Sequence, residues 1–365
     1  MTQTILNRPA ADSALRGVLR RWPEWAPWAA TLWALGYGLT ALGWTLTGAG
    51  YPIDPTDRDS SMALLGDVPA DVGAPLFAAV ALAAAGTGAV MARYRPGAYI
   101  PRWWRRFAVG LGATFALVLL VVVPTTRLLA LLGYLPMIVF RAPFDAEIRA
   151  DVAAALGVED VHQLVALVGG FLWAGATVAY ARRTAGSCAR CGRPDRSASV
   201  AAVLRWGRVA VYVAAAIPAL YAVTRWVWVA GVPMGMDEQQ YDDARADGSL
   251  WAAAWLGSFA LVGTVLTLGL VQRWGEVFPR WVPMLRRRTV PVGLAVVPAT
   301  FVAVLATSGG LGMVKVALTD SWFGVEDWAA IGPTLLWPLW GVALGWGTLA
   351  YWLRRRGRCA DCGLG

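Results

Sequence analysis

Charge is scarce in this sequence, and so are two residue types that carry much of enzyme chemistry. Only 15% of the 365 residues are charged, where a soluble chain of this length carries about 25%. That excludes an ordinary water-soluble domain. There is one histidine, His162, which excludes zinc catalysis built on several imidazoles, since carboxylates would have to supply the remaining ligands. There is one lysine, Lys315, against 31 arginines. That bias, with abundant alanine and glycine, points to a GC-rich bacterial genome. No G-x-S-x-G, P-loop, H-E-x-x-H or dinucleotide-binding fingerprint occurs. Residues 1–24 show no short apolar core ahead of a small-residue cleavage site, so no removable signal peptide is expected and the first helix serves as the membrane signal.

What the chain has is apolar length. Hydrophobic residues make up 58% of it, and tryptophan occurs 21 times, as suits a side chain favoured at membrane–water interfaces. A helix needs about 20 mostly apolar residues to cross the hydrocarbon core. Eight segments meet that length: 27–48, 72–92, 107–128, 161–181, 209–231, 250–271, 290–313 and 331–353. The expected fold class is therefore an all-α membrane protein with about eight transmembrane helices.

The connecting segments alternate in charge. Twenty-five of the 32 basic residues fall before the first span, after the second, fourth and sixth, and after the eighth. The positive-inside rule places these five segments in the cytoplasm, both termini included. Eighteen of the 23 carboxylates fall in the opposite loops. The net charge of +9 is thus a matter of sidedness, and nucleic acid is not expected as a partner. The lipid bilayer is, with a homodimer or another membrane protein as a further option.

The chain also repeats itself. Val18-Leu19-Arg20 returns as Val203-Leu204-Arg205. Tyr37-x-x-Thr40-x-x-x-Trp44 returns as Tyr221-x-x-Thr224-x-x-x-Trp228. Pro101-Arg102-Trp103, Ala113-Thr114-Phe115 and Gly157-Val158-Glu159-Asp160 return, in order, at 279–281, 299–301 and 324–327. Two halves are expected, 1–198 and 199–365, each of four helices. An even number of spans inserts both halves the same way, which predicts parallel repeats about a pseudo-two-fold axis along the membrane normal.

Each half ends in Cys-x-x-Cys-Gly, at Cys188, Cys191 and Gly192 and at Cys359, Cys362 and Gly363. Two thiolates at this spacing grip one ion, and four complete a tetrahedral structural zinc site. Arg190, Arg193 and Arg358 nearby favour thiolates. A redox dithiol is the competing reading, although such motifs usually sit on a βαβ unit, and the cytoplasm disfavours stable disulfides. Two pairs from different chains could also share an ion in a dimer.

Ionisable residues in spans are candidates for function. Arg127 and Lys315 fall near the outer ends of the third and seventh spans, and Arg225 in the outer part of the fifth. Each either reaches the interface or a loop carboxylate, or contacts an anion or lipid headgroup. No carboxylate lies mid-span, which weakens a proton- or sodium-coupled transporter. Glu159, Asp160, Glu326 and Asp327 open the fourth and eighth helices, where the positive dipole end favours them as caps. An outer-face cation site is the other reading. His162 reads as an interfacial side chain. Prolines 124, 218, 298 and 338 imply kinks.

The run Phe171-Leu-Trp173-Ala-Gly-Ala-Thr-Val-Ala-Tyr180-Ala-Arg-Arg ahead of Cys188-x-x-Cys191-Gly192 resembles a group of uncharacterised multi-pass membrane proteins of high-GC bacteria. So do residues 128–136 and Trp274-Gly-x-x-x-Pro279-Arg-Trp281-x-Pro283. The resemblance implies a plasma-membrane location and no particular activity. The reading is then a non-enzymatic transporter-like or scaffold protein with a four-cysteine zinc site. A membrane enzyme of thiol redox or lipid chemistry, using the same cysteines, is the alternative.

Overall fold

A computed structural model describes residues 17–18, 20–53, 61–193, 198–280, 282–319 and 327–364, with backbone alone at 151, 155, 198 and 199. Among them there are helices and no strand. An isolated antiparallel bridge joins Val277 to Thr289. The first half holds α1 (Trp22–Thr47), α2 (Ala70–Arg93), α3 (Arg102–Leu117), α4 (Thr126–Arg141), α5 (Ala146–Ala155) and α6 (Val158–Thr184). The second holds α7 (Ala198–Val229), α8 (Glu238–Ala246), α9 (Ser249–Leu268), α10 (Val292–Thr319), α11 (Trp328–Leu335) and α12 (Trp337–Arg355).

Among the described residues, six helices are long and apolar enough to cross a membrane: α2, α3 with its extension to Val122, α6, α7, α9 and α10. The expected first span is α1, 26 residues long but diluted by tryptophan, tyrosine, glycine and threonine. The expected eighth is broken at Leu336 into α11 and α12. Pro333 and Pro338 flank the break. Neither has an N–H to give, and each ring crowds the preceding turn.

The third span also departs from expectation. α3 runs into a π-helical turn at Val118–Val122, and Pro124 then ends it. Thr125 caps a new helix, α4, by accepting from the Arg127 N–H at 3.3 Å. The third span was expected to run on to residue 128, with residues 129–141 in the loop after it. Instead α4 crosses onto the second half, where the Thr126 hydroxyl donates to the Gly309 carbonyl at 3.0 Å and Gly133 lies against Leu256. The short helices α5 and α8 are capped by Asp145 and Asp237, each accepting two backbone N–H groups.

Within the first half α1 packs on α2 and α6, and α3 packs on α6. Within the second, α7 packs on α9 and α12, and α10 packs on α12. Small residues allow these approaches. A β-carbon on Gly341 of α12 would stand 2.5 Å from the Ala303 carbonyl oxygen of α10. Trp173, Tyr180 and Tyr351 are fully buried in the two cores. A third cluster, Leu128, Leu167 and Leu305 with Leu120 and Phe301, fills the seam between the halves.

Backbone groups exposed by the breaks are met by side chains from elsewhere in the chain. The Ser308 hydroxyl donates to the Pro124 carbonyl. The buried Gln163 amide oxygen accepts from both the N–H and hydroxyl of Thr125, at 3.0 and 3.1 Å. Pro333 leaves the Ala329 carbonyl without its helical donor. Arg225 of α7, 6% exposed, donates to that oxygen at 2.8 Å and to the Ala330 oxygen at 2.7 Å. Its guanidinium lies between the Tyr221 and Trp228 rings, 4.2 and 4.3 Å from their centroids. The arginine is therefore held by carbonyls and aromatic faces inside the fold.

Arg225→Leu strands the buried Ala329 carbonyl and removes a second, part-buried bond to Ala330, and is predicted to cost about 2–4 kcal/mol, read as a lowered melting temperature in detergent. Pro333→Ala in that background restores one helical donor and recovers part of the loss. An unchanged melting temperature in Arg225→Leu would contradict this role.

A candidate metal centre joining the two halves

The end of α6 and the end of α12 build matching turns. After α6, Gly186 and Ser187 close the helix through N–H bonds to Arg183 and Arg182 carbonyls. In the first cysteine turn the Gly192 N–H bonds the Cys188 carbonyl at 2.8 Å, and the Cys188 N–H bonds the Arg193 carbonyl at 2.8 Å. In the second the Gly363 N–H bonds the Cys359 carbonyl, and the Cys359 N–H bonds the Leu364 carbonyl, both at 2.9 Å. Gly192 and Gly363 have φ of 76° and 70°, the left-handed region that glycine enters without steric cost. Both cysteines of a turn thus point the same way.

The two turns meet. Cys188 Sγ lies 3.9 Å from Cys359 Sγ, and Cys191 Sγ lies 3.5 Å from Cys362 Sγ. All four sulfurs fall within 4.8 Å of one another. Metal–sulfur bonds of about 2.3 Å in a tetrahedron place sulfurs about 3.8 Å apart, whereas a disulfide needs about 2.0 Å. The cysteines are free thiols, at the separation of a tetrahedral cage. They could hold one metal ion, and their soft sulfur donors suit a thiophilic one.

Arginines brace the turns across the halves. Arg193 donates to the Gly357, Arg356 and Leu364 carbonyls, at 3.1, 3.3 and 2.6 Å. Arg356 returns the contact by donating to the Cys191 carbonyl at 3.1 Å. Arg190 pairs with Asp361 at 2.9 Å, which occupies the only carboxylate of either turn. Arg182 donates to the Ala189 and Arg190 carbonyls. A divalent ion on four thiolates would carry two net negative charges, and this cationic collar offsets them. The Arg193 N–H points at Cys191 Sγ at 3.5 Å, a donor a thiolate can use.

The thiols are unequal. Burial pushes the Cys191 thiol up to about 12. Backbone N–H groups of Cys362 and Asp361 pull Cys359 down to about 6.

The remaining sequence candidates lie apart from this centre. Asp160 sits at the start of α6, accepts from the Gly157 N–H at 2.9 Å and pairs with Arg127 at 2.9 Å. Glu159 beside it is half-buried. His162 is buried, its Nε2 2.8 Å from the Tyr37 hydroxyl and its ring near Trp44. Lys315 donates to the Ala63 carbonyl at 2.9 Å and pairs with Asp67 at 2.6 Å. Asp327 accepts from the Asp237 N–H. Glu326 lies outside the described residues. The polar seam of Gln163, Thr125 and Ser308 was not singled out from sequence; a glutamine at the start of the apolar run 164–173 was its only signal.

No protein-family model, curated protein or solved structure matches the chain.

Metal uptake must displace the proton held by Cys191, so affinity is predicted to rise with pH between 7 and 8. Below about pH 6, where Cys359 also takes up a proton, affinity should fall more steeply. A cobalt(II) titration followed by thiolate-to-metal absorption measures this, and a pH-independent affinity would contradict it.

Proposed function

We propose that the chain is a non-enzymatic multi-pass protein of a bacterial plasma membrane. In this reading it is a scaffold of two parallel four-helix halves, clamped at their cytoplasmic ends by one structural zinc ion. The observation that carries the reading is the convergence of Cys188, Cys191, Cys359 and Cys362, two from each half, within 4.8 Å. All four belong to one chain, so the site needs no second subunit. Zinc is the ion that best matches four thiolates in a closed tetrahedral cage with no open position for substrate.

Eight spans are favoured because α1 and α12 each present an apolar stripe outward. On α1 it is Leu32, Leu35, Leu39, Leu42 and Leu46; on α12 it is Leu339, Val342, Trp346 and Leu349. Such stripes belong against lipid. The duplicated arrangement is supported by the shared packing order, first helix on second and fourth, third on fourth. It is supported too by the identical pair of hydrogen bonds closing each cysteine turn. The basic clusters at the cysteine-bearing end favour a cytoplasmic site and cytoplasmic termini.

Leu120, Leu167 and Leu305 pack the seam between the halves near the middle of α10. A filled seam favours a scaffold over a solute carrier, which needs a polar path there. The braced four-sulfur geometry likewise favours a metal clamp over a cycling dithiol.

Purified protein is predicted to carry one zinc per chain by elemental mass spectrometry, lost alike in Cys188→Ser and Cys359→Ser. Metal-free protein whose cysteines cycle between dithiol and disulfide would overturn the clamp and favour the redox reading.

A further inference from the structure

The second half carries a segment that the first lacks. Eleven residues lie between Pro101 and Ala113, while nineteen lie between the matching Pro279 and Ala299. The added length forms a small hairpin. Its arms are joined by the Val277–Thr289 bridge and by Phe278 and Arg288, whose N–H and carbonyl bond at 3.0 Å. Its base is tied to α12. The Tyr351 hydroxyl donates to the Gly275 carbonyl at 2.8 Å, Arg355 to the Val290 carbonyl at 3.1 Å, and Arg354 pairs with Glu276 at 3.4 Å. The hairpin therefore stands at the cysteine-bearing end of the spans.

The tip is strongly cationic. Arg280, Arg286, Arg287 and Arg288 are exposed, and none has a side-chain partner among the described residues. No carboxylate occurs between Glu276 and Asp320. Met284 at the apex is 92% exposed, and Leu285 beside it is also exposed. Met284 and Arg287 are the two non-glycine residues with positive φ among the described residues, at 64° and 58°. Left-handed backbone costs about 1–2 kcal/mol at such residues, so the hairpin holds its apex in a shape that packing of the core does not require.

We infer that this hairpin is a docking surface for the phosphate headgroups of anionic phospholipids in the adjoining leaflet. Paired arms of three residues, 276–278 and 288–290, at ~3.3 Å each carry the turn roughly 10 Å beyond its base at the end of α12, in reach of the headgroup layer. Unpaired guanidinium groups match phosphate oxygens bidentately, and an apolar methionine and leucine between them suit the boundary with the acyl chains. A free acidic protein would satisfy the arginines but leave the apolar apex without a role.

The test uses the full chain in nanodiscs of equal phosphatidylglycerol and phosphatidylcholine. After extraction into mild detergent, the lipids still bound are counted by native mass spectrometry. The wild type retains phosphatidylglycerol over phosphatidylcholine, and the preference falls as salt rises. R286Q/R287Q/R288Q loses it, each arginine being worth about fivefold. Hydrogen exchange locates the contact: amides of 282–288 exchange several-fold more slowly in discs containing phosphatidylglycerol than in pure phosphatidylcholine, with 95–101 as reference. Equal retention by wild type and variant, or equal exchange in both discs, would overturn the inference. So would protection of 282–288 by a soluble polyglutamate peptide but not by phosphatidylglycerol, which would mark an acidic protein as the occupant.

Discussion

A chain in hydrocarbon has no water to satisfy its backbone, so every N–H and carbonyl must find a partner within the protein. Continuous helices meet that demand by themselves. This chain breaks its helices at Pro124 and near Pro333 and Pro338, and at each break polar side chains take over. Ser308 reaches the Pro124 carbonyl, and Gln163 serves Thr125. Arg225 serves Ala329 and Ala330. The repairs at Pro124 also draw the halves together, since Ser308 belongs to α10 and Pro124 follows α3. The broken third span in turn frees α4 to lie across the second half.

The halves are thereby joined at two levels. One is the leucine seam with its polar edge, between the π-helical turn, α6 and α10. The other is the cysteine cluster at the ends of α6 and α12. The second joint has little apolar area to hold it. Its reciprocal arginine contacts hold the backbones together, and the four sulfurs add a ligand cage with the dimensions of a metal tetrahedron. An ion there would tie residues 171 apart in sequence, which limits how far the two ends of the bundle can separate.

Much of this was legible in the residues. Long apolar runs located the six apolar helices of membrane-crossing length seen among the described residues, because uncharged stretches of that length have few other uses. The cysteine cluster was legible because the same Cys-x-x-Cys-Gly pattern follows both α6 and α12. The capping position of Asp160 followed from its place at a helix start. Other features were hidden for physical reasons. Arg225 finds backbone oxygens about a hundred residues away, and carbonyls carry no sequence signature. Helix α4 is as apolar as a span but too short to be one, so only Pro124 and Thr125 marked where it begins. The break at Leu336 depends on two prolines whose effect a hydropathy count cannot register.

X-ray absorption at the zinc edge of the purified, monomeric protein tests the central claim most directly. One zinc per chain with a single shell of four sulfurs at about 2.3 Å is the predicted result. A shell containing nitrogen or oxygen, or half a zinc per chain in a dimer, would contradict the account of two cysteine pairs from one chain closing on a single ion.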